Sequence, residues 1–477
     1  MEHPLVFMAR RIDWPSLEET FGKLYVSHHG RPGLPTRLMV GLHYLKYVYD
    51  HSDESAVATF LENPYWQYFC GHEYFTHDLP LDPSSMTRWR KRLDKNDSEV
   101  LLKETIQTAL RMDVMKPREV NRVNVDTTVQ EKAVAYPTDA RNYNKGRKLL
   151  VRIAQKRGIE LRQSYARVGE RLLRQQGRYA HARQMNRSAK ATKRLRNYLG
   201  RVIREMERNA EKLTKREQEI LALVKRLHVQ NREDKKKVYS LHAPEVECIA
   251  KGKTHKKYEF GCKASVVSTN ETNWIVGADA FHGIPYDGHT LAEALLQVKR
   301  LTGTEVREAY CDKGYRLKKT ERPENCRVFL PGDRKRSVIE KKRMKRRNAI
   351  EPIIGHMKSD NRLSRNYLHG ILGDVRNVIL AACGFNMRKL LRAFLYLKLR
   401  SFWRNFLNMM CILKDALLRK IHYIRYCPVT ETFSGTTTYT VVSKSNSAIC
   451  IIKFALRERY PKFIIKLFRV HPLAGGE

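Results

Sequence analysis

The sequence predicts a mixed α/β protein: a mixed sheet core, a helical N-terminal domain and a basic helical insertion. Three observations lead to this fold class. Apolar and polar residues alternate along residues 122–129 (RVNVDTTV), as in a strand with one buried face. Four more strand-like segments follow from residue 257, with one amphipathic helix among them. The residues before 115, and those from about 145 to 235, have the apolar spacing of helices instead.

The charge balance restricts the class of function. Among 477 residues, 91 are Lys or Arg and 50 are Asp or Glu, which gives a net charge of +41. A surplus of this size predicts a polyanionic partner rather than a small-molecule substrate. No charge-free apolar stretch reaches the length of a membrane span, and the nine cysteines include no C-x-x-C pair. We therefore expect a soluble, cytoplasmic nucleic-acid protein with no membrane segment.

Residues 1–115 are predicted to form the helical N-terminal domain. Its most basic segment is DPSSMTRWRKRL, in which Asp82 or Ser84 can cap a helix and Pro83 suits the first turn. Short helices followed by a capped basic helix are compatible with a helix-turn-helix-like module, so Arg88 and Arg90 are expected to contact DNA. A solvated basic helix on a small bundle would give the same pattern, and both interpretations stay open.

The second predicted domain covers residues 116–400 and begins with the alternating strand. Val123, Val125 and Val129 share one face of this strand, which places Asp126 on the opposite, polar face. The remaining strand-like segments are KYEFGCKASVVS, NWIVGADAFHG, EVREAYCD and CRVFLPG, and the helix among them is HTLAEALLQVKRLTG. Together they predict a mixed sheet. Residues 401–477 give no motif and are treated as an extension of unknown structure.

The insertion at about 145–235 holds half of the surplus charge. Residues 141–240 contain 30 Lys and Arg against 9 Asp and Glu. The apolar seam of one long helix is formed by Leu195, Leu199, Val202, Met206, Ala210 and Leu213. An earlier run at 161–173, with Gly177 between the two, predicts an antiparallel helical hairpin. The hairpin is interpreted as an arm that grips phosphates, or else as an exposed basic hairpin without that role.

Three acids stand out in these basic surroundings. Asp126 and Asp312 lie at or near the ends of predicted strands, and Glu351 follows nine basic residues at 333–347. Three converging carboxylates would repel one another unless divalent cations neutralised them. Two Mg²⁺ ions about 4 Å apart, with Mn²⁺ as a substitute, would make this a phosphoryl-transfer site. The predicted catalytic and metal-binding residues are therefore Asp126, Asp312 and Glu351.

These residues resemble those of bacterial insertion-sequence DDE transposases. The chain has D-x-G-Y-R at Asp312 and R-x3-E-x6-K at Arg347, Glu351 and Lys358, although Met344 stands where the family's Y-x2-R-x3-E-x6-K signature has tyrosine. The phrases RPGLPTRLMVGLHYLKYVYD, ENPYWQYFCG and VDTTVQEKAVAYPTDARNY are similar to the insertion-sequence-five group. The resemblance covers about residues 1–395.

The resemblance implies a ribonuclease-H-like catalytic core. It also implies cleavage of double-stranded DNA at the terminal inverted repeats of the element, followed by joining of the freed 3′ ends to target DNA. The expected state is a homodimer on DNA, in the bacterial cytoplasm and associated with the nucleoid when bound. The residues expected to contact DNA are Arg347, Lys358, Tyr315, Arg316, Arg88 and Arg90.

Other interpretations remain. Asn348 and Glu351 have the spacing of a helix-capping pair, so Glu351 could stabilise the start of a helix; if the helix begins earlier, Arg347, Glu351 and Lys358 share one face. The missing tyrosine at Met344 and the unassigned tail are compatible with a transposase-derived DNA-binding protein that no longer cleaves. A structured RNA-binding protein is the third alternative, because charge alone permits it.

Overall fold

The computed structural model describes residues 3–25, 33–231, 233–250, 257–316, 318, 323, 325–332 and 336–420, and five strands between residues 430 and 472. The chain divides into two compact units, Met1–Phe394 and Leu395–Glu477. Among the residues described, no helix combines the length and the apolar character needed to cross a membrane.

Short helices form the N-terminal part of the first unit. They are α1 (Pro4–Ala9), α2 (Trp14–Gly22), α3 (Thr36–Val48), α4 (Asp53–Glu62), α5 (Pro64–Phe69), α6 (Pro83–Arg92) and α7 (Lys95–Arg111). The predicted start of the basic helix α6 is confirmed, since the Asp82 side chain accepts a hydrogen bond from the Ser84 backbone and Pro83 occupies the first turn. Buried aliphatic and aromatic residues from α3, α4 and α6 pack together, so α6 belongs to a helical core.

An open mixed sheet forms the centre of the first unit, which confirms the α/β class. Its strands are β1 (Arg122–Lys132), β2 (Glu247–Ala250), β3 (Tyr258–Thr269), β4 (Ile275–Phe281), β5 (Glu308–Tyr310), β6 (Arg327–Phe329) and β7 (Arg365–Asn366). The order is β2-β3-β1-β5-β6, with β4 also paired to β3 and β7 to β1. Strand β1 is antiparallel to β3 and parallel to β5, and β5 is parallel to β6.

The central position of β1 changes one expectation. We predicted a half-buried strand, but Asn124 and Thr128 on its polar face are as deeply buried as the valines opposite them. Both faces are covered because helices pack on the sheet, including Asp287–Thr302 and Ile350–Asp360, which contact β1. Asp126 is the half-buried exception, with 15% of its side chain exposed.

The basic insertion is a bundle of four helices rather than the predicted hairpin. Its helices are α8 (Asp139–Lys156), α9 (Ala166–His181), α10 (Met185–Arg208) and α11 (Lys215–Val229). The predicted seam is confirmed along α10, where Leu195, Leu199, Val202 and Met206 are buried in one apolar cluster. The chain reverses at residues 182–184, and Gly177 lies within α9. Pattern alone missed the reversal because glycine can continue a helix at a modest cost.

Among the residues described after the insertion, four helices are present: α12 (Asp287–Thr302), α13 (Val338–Arg346), α14 (Ile350–Asp360) and α15 (Gly370–Lys420). The first part of α15 is buried in the first unit, where Val378 and Leu390 are fully covered. The second unit contains the remainder of α15 and a five-stranded sheet. Its strands are β8 (Thr430–Phe433), β9 (Thr436–Ser445), β10 (Ala448–Arg457), β11 (Ile464–Leu467) and β12 (His471–Pro472).

Candidate active site

Two of the predicted acids lie side by side on neighbouring parallel strands. Asn124 of β1 pairs with Tyr310 of β5, so Asp126 and Asp312 each stand two residues beyond the last paired residues. Asp312 also caps the 3-10 turn that follows β5, with its Oδ1 2.8 Å from the backbone nitrogen of Gly314. Both carboxylates therefore emerge where β1 and β5 separate. This is the edge of the sheet at which functional groups are expected.

The third acid is connected to this pair through an arginine. Nη2 of Arg347 lies 3.3 Å from Oδ2 of Asp126, and its Nη1 lies 4.0 Å from Oε1 of Glu351. The Arg347 side chain is 10% exposed, whereas that of Glu351 is 67% exposed. A single guanidinium thus bridges the two acids and separates them in this structure.

The local backbone decides between the two interpretations of Glu351. Residues 347–349 form a 3-10 turn that continues directly into α14, and no side chain caps that helix. Asn348 therefore does not act as an N-cap, and the capping interpretation is wrong. Arg347 and Glu351 lie one turn apart on the same face, as expected for a helix that begins earlier. Lys358 is half-buried further along α14.

A fourth acid, Asp287, lies beside the pair and was not predicted. Its Oδ1 accepts hydrogen bonds from Nζ of Lys263 and Oγ1 of Thr127, each at 2.7 Å. Thr127 follows Asp126 in β1, so this contact ties Asp287 to the strand that carries the first predicted acid. In the sequence, Asp287 resembles any acid in the first turn of a helix, where a carboxylate is favoured by the helix dipole. The only signal was its position after a strand, in GIPYDGHT.

Tyr315 lies beneath the acids rather than at the surface. Its side chain is 1% exposed, which corrects the expectation that it contacts DNA. Burial raises the pKa of Tyr315 well above its usual value, and the charges of Cys311, Asp126, Asp287 and Asp312 raise this pKa further. Tyr315 is therefore a neutral hydroxyl close to three carboxylates. The adjacent Arg316 is exposed and stays available to a DNA backbone.

Comparison with known proteins places the chain in a family. Residues 1–92 match the profile described as "Transposase domain (DUF772)", which ends with α6. An uncharacterised protein, ORF8 in the nfe locus of Rhizobium meliloti, is 54% identical over 180 residues, covering 38% of this chain and 86% of the relative. The chain belongs to a transposase family. No solved structure matches this transposase-family protein.

The N-terminal region that matches the transposase domain contains two arginines with different environments. Arg88 is exposed on α6, as required of a DNA contact. Arg90 is only 3% exposed: its Nη1 lies 2.8 Å from Oδ1 of Asp53 and 3.1 Å from Nε2 of His43. This corrects the expectation that Arg90 contacts DNA, because its guanidinium is hydrogen-bonded to Asp53 and His43 inside the helical core. Burial and the charge of Arg90 lower the pKa of His43 to about 3, so this histidine is neutral.

The insertion presents a continuous basic face. Four exposed arginines on α9 are spaced four, three and four residues apart, so they lie in one row along the helix. None of them forms an ion pair with an acid in the described part of the chain. The nearby acid of the same helix, Glu170, is instead bound by Lys148 at 2.7 Å. This arginine row consists of Arg167, Arg171, Arg174 and Arg178.

One other cluster has metal-ligand chemistry. Donor atoms of Cys262, His282 and Asp374 lie within 4.8 Å of one another among the described residues. However, Nζ of Lys132 lies 2.8 Å from Oδ1 of Asp374 and 2.9 Å from Oε1 of Glu245. A buried ammonium already neutralises this cluster, and burial raises the pKa of the Cys262 thiol. We interpret it as a structural ionic network rather than a cation site.

Proposed function

We propose that this chain is a DDE transposase that cleaves double-stranded DNA at the terminal inverted repeats of its own element and joins the 3′ ends to target DNA. The observation that carries the proposal is the placement of Asp126 and Asp312 on neighbouring parallel strands, with Arg347 and Glu351 beside them. Membership of a transposase family and the similarity of its motifs to the insertion-sequence-five group support it.

The strand arrangement supports a ribonuclease-H-like core for this activity. Along the sheet the strands run β4, β3, β1, β5 and β6. Strand β3 is antiparallel to both of its neighbours, β4 and β1, whereas β1, β5 and β6 all run in the same direction. In this arrangement the central strand carries one acid and the adjacent parallel strand carries the next. The acids remain together although the helical bundle interrupts the chain between β1 and β2.

The donor chemistry of the site fits hard divalent cations. The groups that face one another at the strand ends are carboxylate oxygens and a hydroxyl, the ligand types that Mg²⁺ and Mn²⁺ favour. Asp126, Asp312 and Glu351 would hold two ions. When bound, such ions activate the attacking oxygen and stabilise the leaving oxygen of a phosphodiester. A water molecule would be the nucleophile in cleavage and a DNA 3′-hydroxyl the nucleophile in joining.

Arg347 has a defined task in this proposal. Its guanidinium partly neutralises Asp126 and keeps Glu351 away from that acid. A DNA phosphate is an alternative partner for a guanidinium, because the two groups form paired, charge-assisted hydrogen bonds. Transfer of Arg347 to a phosphate would release Asp126 and allow the exposed Glu351 to turn towards the other acids. Cation binding and DNA binding would then reinforce one another.

The remaining basic surface would hold the DNA. The arginine row, with Arg88, Arg316 and Lys358, would contact phosphates outside the reacting bond. Because two element ends must be brought together, we expect a homodimer on DNA.

The test is Mg²⁺-dependent cleavage of duplex DNA that carries the inverted repeats flanking the coding region. Asp126→Asn, Asp312→Asn and Glu351→Gln should each lower cleavage by at least a thousandfold while leaving DNA binding intact, because each removes an ion ligand. Asp139→Asn is the matched control, since Asp139 is an exposed acid outside the site. Unchanged cleavage in all three variants would refute the proposal. Binding without any cleavage by the unaltered chain would instead support the inactive DNA-binding alternative.

A further inference from the structure

The side-chain hydrogen bonds that Asp287 accepts all reach one of its two carboxylate oxygens. Lys263 and Thr127 both donate hydrogen bonds to Oδ1 of Asp287. Lys263 is fixed in turn by donating to the backbone oxygen of Pro285 at 2.6 Å. Because the ammonium offsets the charge of the carboxylate, a fourth acid can lie here without adding much repulsion to the site. The second oxygen, Oδ2, lies near Gly314 instead.

Oδ2 of Asp287 faces Asp312 across a glycine. A Cβ atom added to Gly314 would lie 2.9 Å from Oδ2 of Asp287 and 3.0 Å from Oδ1 of Asp312. The two oxygens thus border the same small space, and a methyl group there would force them to move. Gly314 is not among the glycines with positive φ, so its backbone does not require glycine. What the glycine provides at this position is the absence of a side chain, which lets both carboxylates approach the backbone closely.

The hydroxyl of Tyr315, the residue after Gly314, is a second sign that a ligand binds near these acids. It is buried and has no hydrogen-bond partner among the described residues. A buried hydroxyl without a partner costs about 1–3 kcal/mol, a cost that a structural tyrosine would normally avoid. The carboxylates whose charges act on it are Asp126, Asp287 and Asp312.

We propose that Asp287 is a positioning residue of the acidic site, whose free side accepts hydrogen bonds from the water shell of a divalent cation held by Asp126 and Asp312. The inference rests on the proposed function, because it requires a cation at those two acids. Mg²⁺ and Mn²⁺ keep several of their water molecules in protein sites, and outer carboxylates orient that water. A water molecule of this shell would lie between Asp287 and Asp312, beside Gly314.

The experiment is a titration of the full chain, without DNA, with Mn²⁺ followed by electron paramagnetic resonance. Loss of an outer-shell partner usually weakens metal binding by about 10–100-fold. Asp287→Asn should weaken Mn²⁺ binding by about tenfold, since it replaces an accepting oxygen with an amide. Gly314→Ala should also weaken Mn²⁺ binding, because the added methyl group displaces Oδ2 of Asp287 together with Oδ1 of Asp312. Gly355→Ala is the matched control, as nothing lies within 4 Å of its added Cβ.

The outcomes separate this inference from the proposed function. If Asp126→Asn and Asp312→Asn leave Mn²⁺ binding unchanged, the cation site itself is refuted. If those variants abolish binding while Asp287→Asn and Gly314→Ala stay within twofold of the unaltered chain, only the role of Asp287 is overturned. Thermal unfolding of every variant checks its folding, and Asp287→Ser decides the matter should Asp287→Asn not fold. Proton relaxation of solvent by bound Mn²⁺ should also change in Asp287→Asn, which a purely structural role would not cause.

Discussion

Replacing the arginine row on α9 by glutamines tests whether the insertion binds DNA. The four residues span eleven positions, or about 17 Å at the helical rise, so they can follow one strand of a DNA backbone. Each phosphate neutralised by a protein contributes about −0.9 to the slope of log affinity against log salt concentration. Loss of four contacts should therefore make the slope shallower by about 3–4. The four substitutions are Arg167→Gln, Arg171→Gln, Arg174→Gln and Arg178→Gln.

The assay is fluorescence anisotropy with a short DNA duplex over a series of salt concentrations. A matched control removes the same number of charges from residues that are already paired with acids, and its slope should change by less than about 1. The idea is refuted if the row variant retains the full slope, or if both variants lose affinity equally. Equal losses would mean that DNA affinity depends on the net charge of the protein and not on the arginine row. The control substitutions are Lys23→Gln, Lys225→Gln, Lys299→Gln and Arg327→Gln.

Three further predictions concern stability and the site. Asp53→Asn should lower the free energy of unfolding by about 3–5 kcal/mol in urea titrations, since it leaves Lys46 and Arg90 buried without their carboxylate; a loss below 1 kcal/mol would contradict this. Burial lowers the pKa of Lys389 to about 7, against 10.5 when unfolded, so its contribution to stability should rise from pH 7 to pH 10 by about 1.4 kcal/mol per unit. Lys389→Met should remove that slope, and an identical slope in both proteins would argue against it. Tyr315→Phe should raise the melting temperature while lowering Mg²⁺-dependent cleavage; a variant that melts higher with full activity would make the hydroxyl irrelevant to function.

The parts of the fold that sequence predicted are those governed by local periodicity. The seam of α10 repeats apolar residues at helical spacing, and β1 alternates them, so each could be recognised within one short window. The sequence also placed Asp126 and Asp312 at strand ends, and neighbouring parallel strands bring such residues to the same edge of the sheet. The Asp82 cap was equally local, since the accepting carboxylate and the backbone amide that donates to it are two residues apart.

The features that sequence did not predict depend on partners far along the chain. Arg90 looked like a surface residue of a basic helix, and only its contact with Asp53, 37 residues away, shows that it is internal. Asp287 gains significance from Thr127, 160 residues earlier. No periodicity encodes such pairs, because side-chain contacts between elements arise only once the topology is formed. The same reasoning explains why β1 was expected to be covered on one face only.

The four-helix insertion has a consequence for how the sheet can form. Strand β1 pairs with β3 from Val123 opposite Thr269, so closing this pair joins segments separated by more than a hundred residues. The insertion has its own apolar cluster, and Asn142 near its start donates to the backbone oxygen of Tyr239 just after its end. If the bundle folds first, it brings the two segments close and shortens the effective loop. With an effective loop of about thirty residues in place of about 130, the entropic cost of pairing falls by about 1 kcal/mol. Rapid local folding of the bundle would thus speed assembly of the long-range sheet.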